Sequence, residues 1–209
     1  MTRLSKSKIL CFSQCPRKYY LQNVEKVKVD KVPEALQKGI EVHSAVEYYN
    51  KNGKWQSEII DKYPDIAKNF IEFFKVFGKP IESELKIYNE QLGVVGVIDA
   101  VYLDNEKLLV LDYKTGKKHP IKDYRFELAI YTKLYEDWKH ITIHYWGINF
   151  LDAGVKLIEA VDREEIEKAL VKVKETREQI QDCEKTGNWE KCESYLCNWC
   201  EYRQSGDCL

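Results

Sequence analysis

The stretch LLVLDYKTGK, residues 108–117, is an apolar run followed by two charged residues, Asp112 and Lys114. Side chains two apart on a β-strand point to the same face, with Cα atoms roughly 6.6 Å apart. A second apolar run, GVIDAVYL, carries Asp99 at residues 96–103. Two carboxylates on neighbouring strands suit Mg²⁺ or Mn²⁺, and a lysine beside them could stabilise charge that develops on a phosphodiester.

Three more groups could complete this site. His43 lies in a predicted helix, GIEVHSAVEYY, with Gly39 one turn earlier, and imidazole is an acceptable ligand for Mn²⁺. Glu84 begins a predicted strand and is a further candidate ligand. Tyr113 would point to the opposite face from Asp112, which leaves its backbone carbonyl as a hard oxygen ligand. A lone histidine on a helix is more often structural, so the prediction of a metal site depends on His43 together with the strand carboxylates and Lys114.

The elements that must position these residues read as helices, then a strand meander, then a crossover helix and further strands. This order predicts one mixed α/β domain over residues 1–209. Residues 1–80 would be mainly helical and carry His43, 81–160 would form the sheet, and 161–209 a long helix and a cysteine-rich tail. The predicted helices are 5–21, 34–52, 65–77, 122–138 and 162–183, and the predicted strands are 82–90, 94–103, 108–114, 141–150 and 155–160.

Composition limits the classes of function. With 44% hydrophobic residues, five Trp and fourteen Tyr, the chain is predicted to be ordered. No apolar run approaches the roughly 20 residues that span a bilayer, so we expect a cytoplasmic protein without membrane attachment. The net charge is −1, yet residues 1–31 hold eight basic residues against two acidic ones. A second basic stretch, Lys117, Lys118, Lys122 and Arg125, follows the LDYK motif, and two such runs beside a site favour a polyanionic partner.

Seven cysteines are many for a reducing compartment, so a well-spaced group indicates a metal or cluster. Cys197 and Cys200 form a C-x₂-C, and Cys208 follows eight residues later. A four-thiolate site needs one more ligand, either Cys15 or Cys192. The spacing leaves both open. Cys11 and Cys183 are expected to be ordinary thiols.

The chain resembles a PD-(D/E)XK nuclease of the RecB nuclease-domain family, which includes CRISPR-associated exonucleases and viral relatives. The matching segments are FSQCPRKYYL at 12–21, GIEVHSAVEYY at 39–49, GVIDAVYL at 96–103, LDYKTGK at 111–117 and ELAIYTKLY at 127–135. The resemblance implies a restriction-endonuclease-like core, a central mixed β-sheet flanked by helices. It implies Mg²⁺ or Mn²⁺ bound by His43, Asp99, Asp112 and the Tyr113 carbonyl, with Lys114 catalytic. It further implies a structural [4Fe–4S] cluster on Cys15, Cys197, Cys200 and Cys208, for which Zn²⁺ is the rival occupant.

One position departs from the family pattern. Where the family has Gln four residues before Tyr131, this chain has Glu127. The carboxylate could pair with Lys114, or it could repel a phosphate and weaken DNA binding.

The leading hypothesis is a metal-dependent deoxyribonuclease that acts on single strands or strand ends. The expected nucleic-acid contacts are Arg17, Lys18, Tyr20, Lys117, Lys118 and Lys122, with Tyr19, Tyr20 or Tyr124 stacking on bases. Glu127 favours the alternative, a weakly active DNA-binding accessory. A third hypothesis is a redox-sensing cluster protein, but this function would not require the acidic residues on the strands. A helicase, a recombination protein or a CRISPR-adaptation protein is a candidate partner.

Overall fold

A five-stranded mixed β-sheet forms the centre of the computed structural model, which describes residues 3–28 and 33–208. The spatial order is β1-β2-β3-β4-β5, and only the central β3–β4 pair is parallel. The apolar run of β3 fits this place, because a central strand is covered on both faces. The strands are β1 Glu82–Asn89, β2 Val94–Asp104, β3 Lys107–Lys114, β4 Tyr145–Phe150 and β5 Val155–Ala160.

The helices cover both faces of this sheet, which confirms the predicted mixed α/β class. A long helix connects β3 to β4, as a parallel pair requires. A π-helical turn covers Tyr20–Val24, and 3₁₀ turns cover Ile121–Tyr124 and Tyr195–Trp199. None of the described helices has the length and apolarity needed to cross a bilayer. The helices are α1 Lys6–Gln14, α2 Pro16–Tyr19, α3 Glu34–Asn52, α4 Ser57–Lys62, α5 Pro64–Phe77, α6 Arg125–Lys139, α7 Arg163–Thr186 and α8 Glu201–Gln204.

Each face of the sheet has its own hydrophobic core. On one face, Ile98 and Val110 pack with Leu128 of α6 and with residues of α1 and α7. On the other face, Leu111 and Tyr113 pack with residues of α3 and α5. Neighbouring residues of β3 therefore belong to different cores, as the alternation of side chains along a strand requires.

The predicted helix over residues 5–21 is wrong in one respect, because it breaks at Cys15. Cys15 is extended, with φ −163° and ψ 113°, and Pro16 then begins α2. A residue before proline is driven out of the helical region by the proline ring. The prediction also missed α4, Ser57–Lys62, and began the fourth strand four residues before Tyr145.

Candidate active site

Glu84, Asp99 and Asp112 occupy one row across β1, β2 and β3. The β2–β3 ladder pairs Ala100 with Leu111 and ends there, so Asp99 and Asp112 face each other just beyond the last pair. The β1–β2 ladder keeps one register on both sides of the row but skips the Glu84–Asp99 pair itself. β1 and β2 are thus joined on either side of these carboxylates, whereas β2 and β3 are joined on one side only.

The backbone is irregular at the same row. Glu84 has φ +49°, a left-handed conformation that is unusual for a residue other than glycine. In β2, Ile98 packs in the core of α6, whereas Ala100, two residues on, packs in the core of α3 and α5. The alternation of faces therefore shifts by one residue at Asp99. Strained backbone of this kind is typical of sites where a side chain must be aimed.

Asp99 connects β3 to α3. Its Oδ2 accepts the Tyr113 backbone N–H at 2.7 Å in the buried interior. Its Oδ1 lies 3.5 Å from Nδ1 of His43, which α3 supplies. Glu84 Oε1 lies 3.8 Å from the same nitrogen, and one ligand atom from each of His43, Glu84 and Asp99 falls within 4.8 Å of the others. The structure brings together these three predicted ligands.

The charge of this group suits a cation. Burial lowers the pKa of His43, but hydrogen bonding to Asp99 and Glu84 outweighs it and raises this pKa to about 10. In the absence of a metal, a proton on the imidazole thus balances the carboxylates, and a divalent cation could replace that proton. An imidazole with two carboxylates is a ligand set that accepts Mn²⁺ or Mg²⁺. The cluster faces an open groove of about 580 Å³, which is also lined by Gly39 and Thr115.

Asp112 and Lys114 share one face of β3, as predicted. Lys114 Nζ lies 2.7 Å from Asp112 Oδ2, although no described donor reaches this buried oxygen at a hydrogen-bonding angle. Burial and then the Asp99 carboxylate raise the pKa of Asp112 well above its usual range. An oxygen that is buried beside another carboxylate and lacks a good hydrogen bond is well placed to ligate a metal. The side chain of Asp112 lies outside the three-residue group described above.

Lys114 also contacts α6. Its Nζ lies 3.1 Å from Glu127 Oε2, and Glu127 Oε1 accepts a hydrogen bond from the Tyr131 hydroxyl at 3.1 Å. Burial lowers the pKa of Lys114, but the Asp112 and Glu127 carboxylates outweigh it and keep the group an ammonium. Burial raises the pKa of Tyr131, which therefore remains a neutral phenol. Gly96 allows this approach, because a Cβ there would meet the Tyr131 ring at 3.1 Å.

Sequence reasoning missed Lys6. Its ammonium lies 2.6 Å from Glu127 Oε1. Burial raises the pKa of Glu127, but Lys114 and Lys6 outweigh it and hold this pKa below its usual value. The sequence gives no signal for this contact, because α1 and α6 meet only through the tertiary fold.

The second basic stretch lies beside this site. Lys114 passes over the Tyr124 ring at 5.7 Å from its centroid, and Lys117, Lys118 and Lys122 are exposed on the segment that follows β3. Asp152 holds the start of this segment, because it accepts the Gly116 N–H and pairs with Lys38. Arg125 instead forms an ion pair with Glu159 at 2.9 Å.

The predicted contacts near the N-terminus lie beside the cysteine-rich tail. Lys18 pairs with Glu201 at 3.2 Å, and Arg17 stacks over Tyr20, whose ring packs on Trp189. Tyr19 is buried, so the expectation that it stacks on a base is wrong. Whether Arg17, Lys18 and Tyr20 contact nucleic acid stays a prediction.

Five cysteines line one cavity of about 350 Å³ between the N-terminal helices and the tail. They are Cys15, Cys192, Cys197, Cys200 and Cys208. Cys15 Sγ accepts the Cys192 N–H at 3.5 Å, and Cys197 Sγ accepts the Ser194 N–H at 3.5 Å. Within residues 3–28 and 33–208, His43, Glu84 and Asp99 form the one group of three or more candidate ligands whose atoms lie within 4.8 Å of each other. No three of the thiols in the described part of the chain form such a group.

Comparisons with known proteins agree with this architecture. A solved structure of a "Putative exonuclease" from Eubacterium rectale is similar at a TM-score of 0.63 and 14% identity, over 95% of this chain and 86% of that one, which supports the fold. A second solved structure, of a protein designated SSO0001, shares 15% identity over 96% of this chain and 84% of that one, with a TM-score of 0.46. No curated protein matches the sequence. The model of the PD-(D/E)XK nuclease superfamily matches residues 3–70 and 66–205, so this chain belongs to that superfamily.

Proposed function

We propose that the protein is a metal-dependent DNA nuclease that hydrolyses phosphodiester bonds in single strands or at strand ends. The observation that supports this proposal most directly is the grouping of His43, Glu84 and Asp99 beside the Asp112–Lys114 pair. Nucleases of this superfamily use divalent metals, and these residues offer the oxygen and nitrogen ligands that Mg²⁺ and Mn²⁺ accept.

In this proposal, His43, Glu84 and Asp99 hold the cation, and Asp112 and the Tyr113 carbonyl are further ligands. The bound cation would lower the pKa of a water molecule and neutralise charge on the phosphate. Lys114 remains an ammonium, so it serves as a fixed cation and hydrogen-bond donor to a phosphate oxygen rather than as a proton acceptor. Tyr131 remains a phenol, and its hydroxyl keeps Glu127 in place.

Charge beside the site supports a nucleic-acid substrate. Lys117, Lys118 and Lys122 are exposed on the segment next to Lys114, where they can contact consecutive phosphates. Tyr124 is half-buried in the same segment, where its ring is a candidate to stack on a base. Single strands and ends expose both phosphates and bases, which fits this combination.

The test uses end-labelled linear and circular DNA, each single- and double-stranded, with Mn²⁺, Mg²⁺ or a chelator. We expect metal-dependent cutting of linear single strands by the wild type, and loss of cutting in Asp99→Asn. The matched control is Asp104→Asn, at the exposed end of the same strand, which should cut like the wild type. Cutting of circular DNA would show that the protein acts as an endonuclease and does not need a strand end. Equal cutting by wild type and Asp99→Asn would overturn the proposed site.

A second candidate function is a DNA-binding accessory that cuts poorly, with a helicase, recombination or CRISPR-adaptation protein as its partner. The observation that favours it is Glu127, whose carboxylate lies 3.1 Å from Lys114 and competes with a phosphate for this ammonium. A shift of labelled DNA in a gel-mobility assay, together with no cutting in the assay above, would support this candidate.

We further propose that the cysteine cavity holds a [4Fe–4S] cluster through Cys15, Cys197, Cys200 and Cys208. A tetrahedral zinc site with Zn–S bonds of about 2.3 Å would need its sulfurs about 3.8 Å apart, and no three of the described thiols form a group that close. A cavity of about 350 Å³ suits a larger group. By joining the N-terminal helices to the tail, a cluster would stabilise the fold as a long-range cross-link does.

Metal analysis of anaerobically purified protein tests this cluster. We expect brown protein with about four iron atoms per chain. Cys15→Ser should lose iron, whereas Cys192→Ser and the control Cys11→Ser should retain it. Colourless protein with one zinc per chain would contradict the proposal. Iron loss in Cys192→Ser but not in Cys15→Ser would identify Cys192, in place of Cys15, as the fourth ligand.

A further inference from the structure

The start of α1 is fixed to the sheet by Leu4, two residues before the helix begins. Leu4 is buried, its N–H donates to Gly93 O at 3.0 Å, and its carbonyl accepts the Val95 N–H at 2.8 Å. Ser5 then caps α1 through its side chain, which accepts the Lys8 N–H. Lys6 is therefore held at a defined place beside the start of β2.

A lysine is unfavourable at this position of a helix. The N-terminus of a helix carries partial positive charge, which favours acidic side chains, and α1 has none in its first turn. Lys6 instead directs its ammonium across to Glu127 Oε1 at 2.6 Å, where the carboxylate side chain is only 6% exposed. The ion pair with this buried acid offsets the unfavourable placement of Lys6 at the start of the helix.

The charges around Lys114 form an alternating chain, in the order Asp112, Lys114, Glu127 and Lys6. With all four side chains ionised, their formal charges cancel. Without Lys6, Lys114 alone would have to balance two buried carboxylates, and a negative charge would remain close to the path of the substrate phosphate. Leaving one member of a buried pair uncompensated is costly.

We propose that Lys6 is a positioning residue for the nuclease site: it neutralises Glu127 and so leaves Lys114 free to serve Asp112 and the scissile phosphate. This inference rests on the proposed function, and it assigns to the first helix a part in the active site. It also accounts for an acid beside the catalytic lysine, because the acid is matched by a second lysine.

The test compares Lys6→Gln with the double variant Lys6→Gln/Glu127→Gln. Lys8→Gln is the matched control, since Lys8 lies on the same helix and, among the described residues, its side chain bonds to the Arg3 carbonyl at 3.1 Å. We expect kcat/KM on single-stranded DNA to fall about tenfold or more in Lys6→Gln, as for other residues that support a catalytic group. The double variant should recover most of this loss, because a neutral amide in place of the Glu127 carboxylate needs no cation. A Lys6→Gln enzyme as active as Lys8→Gln, or a double variant worse than the single one, would overturn the proposal.

A second measurement does not depend on turnover. Mn²⁺ affinity, followed by electron paramagnetic resonance, should increase severalfold in Lys6→Gln, because the site gains a negative charge. It should return to the wild-type value in the double variant. A purely structural loss would instead weaken both Mn²⁺ binding and cutting, and equal Mn²⁺ affinity in Lys6→Gln and Lys8→Gln would refute the charge argument. If the wild type cuts no DNA, the proposed function fails. The Mn²⁺ affinities of Lys6→Gln, Lys8→Gln and the double variant would still show whether Lys6 balances the charge of Glu127.

Discussion

Asp99 combines a structural and a chemical task, and two substitutions separate them. One carboxylate oxygen accepts the buried Tyr113 N–H at 2.7 Å, and the other lies 3.5 Å from His43 Nδ1. Asp99→Asn keeps an oxygen for the Tyr113 N–H but removes the charge. Asp99→Ala removes both. The two variants should therefore be equally inactive but differ in the free energy of unfolding.

The size of this difference follows from the hydrogen bond. A buried N–H left without an acceptor costs about 1–3 kcal/mol. For a domain of 150–250 residues, each kcal/mol lowers the melting temperature by about 2–4 °C. We thus expect Asp99→Ala to melt about 2–12 °C below Asp99→Asn. The space left by truncation shifts the result in the same direction.

The assay is thermal unfolding in chelator, followed by Mn²⁺ titration and DNA cutting. Asp104→Asn, at the exposed end of β2, controls for loss of an acidic residue from the strand. Equal melting of Asp99→Asn and Asp99→Ala would refute the hydrogen-bond reasoning. Undiminished Mn²⁺ binding in Asp99→Asn would show that the carboxylate is no ligand.

Three further outcomes are expected. Lys114→Gln should abolish cutting and leave Mn²⁺ binding intact or stronger, as measured by calorimetry, because it removes a cation and no ligand. In metal-free protein at pH 8, iodoacetamide should alkylate Cys197 faster than Cys11, since burial raises the pKa of Cys11 to about 11 and keeps it a thiol, whereas the Ser194 N–H lowers the pKa of Cys197. Reaction of Cys11 should increase only as the pH rises towards that value. Asp152→Ala, which frees the Gly116 N–H and Lys38, should raise KM for single-stranded DNA with little change in kcat; an unchanged KM would separate the basic segment from substrate binding.

Local sequence patterns predicted much of the fold, because they depend on short-range geometry. The alternation in residues 108–114 correctly placed Asp112 and Lys114 on one face and Tyr113 on the other, and the predicted helix over 34–52 matches α3, which Gly53 ends with φ +70°.

Other features depend on contacts that no local pattern contains. Lys6 reaches Glu127 because Leu4 joins the start of β2 through backbone bonds, which any residue except proline could form. The left-handed backbone at Glu84 interrupts a strand with no glycine to signal it. The break at Cys15 was readable in principle, since Pro16 restricts the residue before it.

The shift of face at Asp99 explains how helices on opposite sides of one sheet contribute to one site. His43 comes from α3 on one face, and Glu127 comes from α6 on the other, with the sheet between them. A continuous ladder of strands would keep these side chains apart. Because the β2–β3 ladder stops after Ala100–Leu111, the Asp99 carboxylate can enter the gap, replace a ladder partner for the Tyr113 N–H and still face His43. The opening between the strands is thus both a local loss of sheet hydrogen bonding and the means by which the acidic group is assembled.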